Sequence, residues 1–282
     1  MTRRIDISRQ TLERLYYEEG QSQREIAELF GCSETTVARR VREYGMPTRR
    51  DRARYRARSG QSHPRCRWTP QAAYAVGLIS SDGSLSADGR HIIFTSAGRE
   101  LAETFRECLE LRNSISEVSP DRQATRRAYR VQFSDVEFYE WLLDIELTPA
   151  KQSRLGALDI PDEYFADFVR GFFDGDGSIY TYIGRYNIYN GRRYEHLRLH
   201  VTFFSISQEF LEWLRETLRR LPGTRGGLHP ESRGRSRTLW RLKYAKGDSV
   251  KLLPWMYYRS DVPCLERKRV IAEPFLERAG LD

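Results

Sequence analysis

Two aspartates, Asp82 and Asp176, stand at the same place in two copies of one short sequence pattern. Each copy has an aromatic residue, a Gly three positions later and an apolar pair, and it ends in a small residue followed by Asp-Gly. The interval from Gly77 to Gly171 equals the interval from Asp82 to Asp176. Since solenoid repeats are shorter than this interval, the pattern predicts a duplicated half-domain.

Two carboxylates held close together repel each other, and one normally takes up a proton unless a cation lies between them. Mg²⁺ binds one or two protein carboxylates together with water and substrate phosphate. If the two copies lie side by side, Asp82 and Asp176 therefore predict a divalent-metal site for a phosphodiester. A single Asp-Gly would be more simply interpreted as a helix-ending or turn dipeptide, but the duplication favours the metal site.

Helices must position these carboxylates, and the residues before each aspartate have helical spacing. The apolar residues of the second copy recur as on a buried helix at Phe165, Phe168, Val169, Phe172 and Phe173. A neighbouring stripe of small residues passes through Gly77 in the first copy and Gly171 in the second. Gly inside a helix costs roughly 1 kcal/mol relative to Ala, and close approach of two backbones offsets this cost. We therefore predict that the two helices pack along these stripes and end at Gly83 and Gly177 as left-handed C-caps.

With these two motifs, roughly residues 67–275 resemble the LAGLIDADG homing endonucleases in their single-chain, two-motif form. The resemblance implies an α+β fold, the pseudo-twofold duplicated LAGLIDADG homing-endonuclease fold with two αββαββα-type halves. It also implies that Asp82 and Asp176 bind the catalytic metal, Mg²⁺ or Mn²⁺. The first copy departs from the pattern at Ser80, where the second copy has Asp174.

Two lysines occupy corresponding points near the ends of the halves, in Thr148-Pro-Ala-Lys151-Gln and Leu265-Glu-Arg-Lys268. The family has an active-site lysine at each such place. The resemblance therefore implies that Lys151 and Lys268 are catalytic and that they orient water or stabilise charge. The alternative is that each is an ordinary surface lysine.

The resemblance implies a site-specific endonuclease that cleaves double-stranded DNA, hydrolysing one phosphodiester on each strand, in intron or intein homing. It implies a monomer with internal pseudo-twofold symmetry. A catalytically inactive DNA-binding regulator or an intron maturase on the same scaffold is the alternative, and Mg²⁺-dependent cleavage distinguishes the two. Both carboxylates and both candidate lysines are present, which favours the enzyme.

Residues 6–46 have the pattern of a helix-turn-helix, with a first helix from Thr11 to Glu18. Ser22 and Glu25 form a capping box for a second helix, whose apolar residues include Leu29. Ser33 is predicted to cap a third helix, which would lie in the major groove of DNA. The groove-facing candidates are Thr35, Thr36, Arg39 and Arg40. A three-helix unit that serves only for packing is the alternative.

Arginines dominate the segment that follows, at positions 49, 50, 52, 54, 56, 58, 65 and 67. Such a composition cannot bury a core, so we expect a linker. On DNA it would follow phosphates or enter a minor groove, with Arg50, Arg52 and Arg54 as contacts. A solvated linker without DNA contacts is the alternative.

Both halves contain strands and helices in a similar order after their motifs. The expected strands are 91–95, 129–133, 198–205 and 238–244, and the expected helices are 100–111, 136–145, 208–221 and 248–257. Asn190-Gly191 is a hairpin-turn signal flanked by basic residues, and 223–237 is a Gly/Arg-rich stretch expected to form a loop. We expect Arg193, Arg198 and Arg235 to contact DNA, although each alone could be an ordinary solvated residue.

The 282 residues carry a formal net charge of +8, which suits a polyanionic partner. The four cysteines lack metal-site spacing, and we find neither a signal peptide nor an apolar run of membrane length. We therefore expect a cytoplasmic protein, associated with the nucleoid when bound to DNA, and no membrane partner. The expected domains are a helix-turn-helix domain (1–46), an Arg-rich linker (47–66) and two LAGLIDADG half-domains (67–160 and 161–282).

Overall fold

A computed structural model of the chain describes residues 7–19, 21–46, 65–119, 127–149, 155–189, 192–231 and 238–276. The chain forms two compact units, Met1–His63 and Pro64–Asp282, and each has its own apolar core. In the described ranges, no helix combines the length and apolar character needed to cross a bilayer.

The described part of the first unit contains three helices, as predicted. They are α1 (Arg9–Glu13, which continues as a π-helical turn over Arg14–Glu18), α2 (Gln23–Leu29) and α3 (Glu34–Glu43). The capping box is confirmed, because the amide of Glu25 donates to Ser22 Oγ at 3.1 Å and the amide of Ser22 donates to Glu25 Oε2 at 2.6 Å. A bond from the Tyr44 hydroxyl to the carbonyl of Ile7, at 2.8 Å, ties the end of α3 to the start of the unit.

Two details of this unit differ from the prediction. Leu29 is 63% exposed, because it lies about a third of a turn from the middle of the buried face that contains Ile26 and Ala27. Ser33 occupies the N-cap position of α3 without a side-chain capping bond. Its hydroxyl instead bonds the hydroxyls of Thr35 and Thr36 at 2.8 and 2.9 Å.

The second unit contains two halves with the same order of elements. The first half consists of α4 (Pro70–Asp82), β1 (Gly83–Leu85), β2 (His91–Ser96), α5 (Arg99–Cys108), β3 (Ser116–Val118), β4 (Ala128–Ser134) and α6 (Val136–Asp144). The second half, after a 3₁₀ turn at Asp162–Tyr164, consists of α7 (Phe165–Asp176), β5 (Gly177–Tyr189), β6 (Arg192–Ser205), α8 (Gln208–Arg220), β7 (Gly227–Glu231), β8 (Leu239–Tyr244) and α9 (Lys246–Met256). A further helix, α10 (Glu266–Leu276), follows.

Each half has one four-stranded antiparallel sheet, in the order β1-β2-β4-β3 and β5-β6-β8-β7. In each sheet one face turns buried apolar side chains towards the helices. Phe94 pairs with Val131 on that face of the first sheet, and Phe203 pairs with Leu242 on that face of the second. The two αββαββα-type halves confirm the predicted fold class.

Several strands were missed from the sequence. Strands β1 and β3 have only three residues each, too few to show an alternating pattern. Strand β7 lies inside the stretch 223–237, which was wrongly predicted to be a loop throughout. It carries Pro230, which an edge strand tolerates. The predicted hairpin is confirmed by the pairing of Tyr189 with Arg192, although residues 190–191 lie outside the described ranges.

The motif helices α4 and α7 touch backbone to backbone, as the small-residue stripes predicted. A Cβ atom added at Gly77 would lie 2.2 Å from the carbonyl oxygen of Phe168. One added at Gly171 would lie 2.1 Å from the carbonyl oxygen of Tyr74. Both distances are far below van der Waals contact, so no larger residue fits at either position.

The predicted left-handed C-caps are wrong. Gly83 and Gly177 have φ of −86° and −104° with ψ near 167°, which is extended backbone open to any residue. Glycine is required there for space. A Cβ atom at Gly83 would lie 2.6 Å from Cα of Ile79, and one at Gly177 would lie 2.5 Å from the carbonyl oxygen of Phe173. Each motif helix therefore passes directly into the first strand of its sheet.

We predict that Gly171→Ala lowers the free energy of unfolding by about 3 kcal/mol, because the added methyl group overlaps the backbone of α4. Gly247→Ala is the matched control, since Gly247 lies near the start of α9 with no atom near its hypothetical Cβ. The control should be unchanged or more stable by up to about 1 kcal/mol. Urea denaturation measures both variants, and equal stability would contradict the close packing.

Candidate active site

Asp82 and Asp176 are the last residues of the two motif helices. A Cβ atom added at Gly175 would lie 1.9 Å from Ser81 Oγ and 2.9 Å from Asp82 Oδ2. The carboxylate of Asp82 therefore lies against the backbone of α7 next to Asp176. Asp82 is exposed and Asp176 is half-buried, so both remain accessible to solvent. The structure thus brings together the two aspartates that the sequence singled out.

The electrostatics of this place favour a cation. The carbonyl groups at a helix C-terminus carry partial negative charge, and a carboxylate there adds to it. Two helices end at this point, each with an aspartate. Within the described residues no group of three or more His, Cys, Asp or Glu side chains forms a closed metal cage. Two solvent-accessible carboxylates without such a cage suit a divalent ion that also binds phosphate and water.

Lys268, predicted to be catalytic, lies beneath this site. It is only 4% exposed, and its ammonium group lies over the ring of Phe173, 4.6 Å from the centroid. The group donates to the carbonyls of Phe173, Asp174 (3.1 Å) and Gly177 (2.7 Å). These bonds occupy its three N–H donors and fix the C-terminus of α7. Lys151, its predicted counterpart, lies outside the described residues.

Burial lowers the pKa of Lys268 to about 8, although the nearby carboxylates of Asp174, Asp176 and Asp82 act in the opposite direction. The two motif aspartates therefore share the electrostatic environment of one buried cation. Its charge partly offsets the repulsion between them.

The sequence did not reveal the role of Asp174, which is 1% exposed inside the second unit. Its Oδ2 accepts from the hydroxyl of Tyr74 at 2.8 Å and from the amide of Leu265 at 2.7 Å. Oδ1 has no hydrogen-bond partner among the described residues. Asp174 thereby links both motif helices to the segment that enters α10. The one sequence feature that could have indicated this role is the difference between the two motif copies. The first copy has Ser80 where the second has Asp174.

The four helix-turn-helix candidates differ in exposure. Thr35 is exposed and Arg39 is 64% exposed, one helical turn apart on α3. The side chain of Arg40 is only 16% exposed and pairs with Glu43 at 2.9 Å, so it is poorly placed for a groove, and Thr36 is half-buried. Arg42, which the sequence analysis passed over, is exposed on the same side as Arg39.

Of the other DNA-binding candidates, Arg198 is exposed on β6. Arg193 belongs to the same strand, but its side chain lies outside the described part of the structure. Arg50, Arg52, Arg54 and Arg235 also lie outside the described residues.

Two family models match the chain. The model of a LAGLIDADG-like domain matches residues 69–145, and the model of sigma-70, region 4 matches residues 14–43. No curated protein matches the chain.

Among solved structures, the chain is similar to two homing endonucleases and one further protein. The homing endonuclease I-DmoI in complex with DNA and Ca has 16% identity and a TM-score of 0.47, with 72% of this chain and 97% of that chain covered. The I-LtrWI LAGLIDADG homing endonuclease bound to target DNA has 14% identity and a TM-score of 0.45, covering 75% and 91%. Full-length DUF199/WhiA from Thermatoga maritima has 16% identity and a TM-score of 0.45, covering 75% and 62%.

The buried carboxyl of Asp174 predicts a pH-dependent stability. Burial raises its pKa from 3.8 to about 6. Between these values the folded chain holds a proton that the unfolded chain releases, so this contribution is fully present below about pH 4 and is lost as pH rises through 6. Relative to Asp174→Asn, the wild-type free energy of unfolding should fall by roughly 2–3 kcal/mol from pH 4 to pH 7. Urea denaturation with a chelator present measures this difference, and a constant difference would contradict the assignment.

Proposed function

Because the chain carries a LAGLIDADG-like domain preceded by a helix-turn-helix unit, we propose that it is a site-specific DNA endonuclease. It hydrolyses one phosphodiester on each strand of a duplex. The observation that carries the proposal is the convergence of Asp82 and Asp176 at the ends of two tightly packed helices. A protein that only binds DNA has no need to gather like charges at the ends of two closely packed helices.

Asp82 and Asp176 would hold the divalent ion, Mg²⁺ or Mn²⁺, and the exposed sides of their carboxylates leave room for phosphate and water. When bound, such an ion lowers the pKa of a water ligand and stabilises charge on the attacking and leaving oxygens. The protein's part is to keep both carboxylates ionised and fixed in position. Packing of α4 on α7 fixes their spacing, and the bonds of Lys268 fix the end of α7.

Lys268 acts in this proposal as a buried charge, since its three donors are engaged by backbone carbonyls. It stabilises negative charge at the site through the field of its ammonium group. Lys151 is proposed to supply a comparable charge in the first half. One chain provides both carboxylates, so we propose that a monomer suffices, acting in the cytoplasm on nucleoid DNA.

The helix-turn-helix unit would give the enzyme a second attachment to DNA. Thr35 and Arg39 are exposed on one side of α3, which suits a helix lying in a major groove. The linker arginines Arg50, Arg52 and Arg54 would follow phosphates, and Arg193, Arg198 and Arg235 would contact DNA from the second half.

The helix-turn-helix unit also favours the second candidate function, a catalytically inactive DNA-binding regulator or intron maturase. Mg²⁺-dependent cleavage of a genomic DNA pool distinguishes it from the enzyme.

We predict that Asp82→Asn and Asp176→Asn each reduce double-strand cleavage by at least about 100-fold while DNA affinity changes little. Asp144→Asn is the matched control, because Asp144 is the exposed last residue of α6 and lies away from the motif helices in sequence. The rate of cleavage with Mg²⁺ and the affinity in EDTA are both measured. Full activity of either motif variant would refute the assignment, and inactivity of wild type on every DNA in the pool would favour the regulator.

For the helix-turn-helix unit, we predict that Arg39→Ala weakens DNA binding by about 5- to 50-fold. Arg9→Ala should change it by less than about 2-fold. Arg9 is a fair control because it is 62% exposed and pairs with Glu13, as Arg39 pairs with Glu43. Fluorescence anisotropy on a selected duplex measures the affinities. Equal effects of the two substitutions would show that α3 does not enter the groove.

A further inference from the structure

A buried arginine in the middle of α7, Arg170, holds the segment of chain that carries Lys268. This segment, residues 256–268, runs from the last residue of α9 into the first turn of α10, and we call it the strap. We infer that Arg170 is a positioning residue, which keeps the ammonium group of Lys268 beneath Asp82 and Asp176 by fixing the strap. The inference rests on the proposed function where it concerns cleavage, but the enclosure of Lys268 is measurable without cleavage.

The guanidinium group of Arg170 bonds the strap at two places. Its Nη1 donates to the carbonyl of Met256, and its Nε donates to the carbonyl of Pro263 at 2.7 Å. Between these two carbonyls, residues 259–261 are exposed. Because the guanidinium is a planar fork with donors in fixed directions, it sets the spacing of the two carbonyls. Both ends of an exposed stretch of the strap are therefore tied to one side chain of α7.

Further polar bonds join the strap to α7. The hydroxyl of Tyr258 donates to both carboxylate oxygens of Asp167, at 3.0 and 3.1 Å. The amide of Leu265 donates to Asp174 at 2.7 Å. The ammonium group of Lys268 then donates to carbonyls at the end of the helix. The strap is thus bonded along α7 from Asp167 to the aspartate end.

These bonds set the position of the strap more closely than its apolar contacts do. Val262 and Leu265 are buried, but hydrophobic contact has no preferred direction. Pro263, whose carbonyl accepts from Arg170, lies five residues before Lys268. A shift of Pro263 would therefore also move Lys268.

The first half has neither of the two motif-helix side chains that bond the strap through Pro263 and Leu265. By the repeat interval, Val76 stands where the second half has Arg170, and Ser80 stands where it has Asp174. Val76 is buried, and the hydroxyl of Ser80 donates to the carbonyl of Val76 within its own helix at 2.8 Å. An apolar residue thus fills the equivalent place in the packed helix pair. Packing alone does not require an arginine there.

The charge of Arg170 is balanced inside the protein. Its Nη2 donates to Asp167, and the guanidinium carbon lies 5.7 Å from the ring centroids of Tyr74 and Tyr258. Since replacement of a buried ion pair by apolar side chains is often neutral or stabilising, charge balance does not explain why an arginine is present. The directed bonds to the strap do explain it. A lysine would keep the charge but not the fork.

The experiment measures the enclosure of Lys268 in the full chain without DNA and in EDTA. N-hydroxysuccinimide acetate acetylates accessible lysine amines, and mass spectrometry gives the rate at each lysine. In wild type, Lys268 should react at least about 10-fold more slowly than the exposed Lys251 of α9. We expect Arg170→Lys to raise the rate at Lys268 by at least about 5-fold and to leave Lys251 unchanged.

Thr224→Val is the matched control. Thr224 is fully buried and its hydroxyl donates to the carbonyl of Leu218 at 2.9 Å, so this variant also loses a buried bond to a backbone carbonyl, but outside the strap. It should change the rate at Lys268 by less than about 2-fold. Equal increases in Thr224→Val and Arg170→Lys would overturn the inference, because general loosening would then account for both.

Tyr258→Phe provides a second test should Arg170→Lys fail to fold, as judged by thermal unfolding. Tyr258 is half-buried, and the substitution removes only its hydroxyl bonds to Asp167. The rate at Lys268 should rise by at least about 2-fold. An unchanged rate in every folded strap variant would overturn the inference.

Cleavage is measured separately, so that the two proposals can fail independently. Arg170→Lys should slow Mg²⁺-dependent cleavage by at least about 10-fold and change DNA affinity in EDTA by less than about 2-fold. Faster acetylation of Lys268 in this variant, with no cleavage by wild type, would refute the nuclease and leave the positioning by Arg170 established. Unchanged acetylation would overturn the positioning whatever the cleavage rate.

Discussion

The contact between the backbones of α4 and α7 is the constraint on which the second unit depends. At Gly77 and Gly171 each helix presents a bare backbone to a carbonyl oxygen of the other. This contact sets the separation of the helix axes and therefore the separation of Asp82 and Asp176 at their ends. Because β1 and β5 begin at the next residue, the same contact also sets where each sheet starts.

At the site, negative and positive charges lie close together at the end of the contact between α4 and α7. Two helix C-termini and two aspartates concentrate negative charge, and the buried ammonium group of Lys268 lies beneath them. A second buried cation, Arg170, secures the other end of α7 through Asp167 and the carbonyl of Pro263, to which it donates at 2.7 Å. The buried cations Lys268 and Arg170 fix the position of α7. The more exposed carboxylates Asp82 and Asp176 are therefore held in place before any ligand binds.

Several structural features that depend on short stretches of sequence were predicted correctly. The small-residue stripes and apolar spacing predicted the packing of the motif helices, and Asn190-Gly191 predicted the hairpin. The C-caps were wrong because a glycine that is needed for space looks the same in sequence as one needed for positive φ. Lys268 was found by its position, but its bonds to three carbonyls depend on how α10 packs on α7. The bond between Tyr74 and Asp174 joins residues 100 positions apart, and no local pattern encodes it.

That bond also favours the observed pairing, in which the first half packs on the second. A duplicated sequence could otherwise allow two first halves, or two second halves, to pair. The repeat interval equates Tyr74 with Phe168 and Ser80 with Asp174. Were two second halves to associate, Asp174 would face Phe168, and a buried carboxylate would lose its hydroxyl donor. Were two first halves to associate, Tyr74 would face a serine instead of a carboxylate. Unlike halves therefore recognise each other better than like halves do, which disfavours the association of like halves from two molecules as the chain folds.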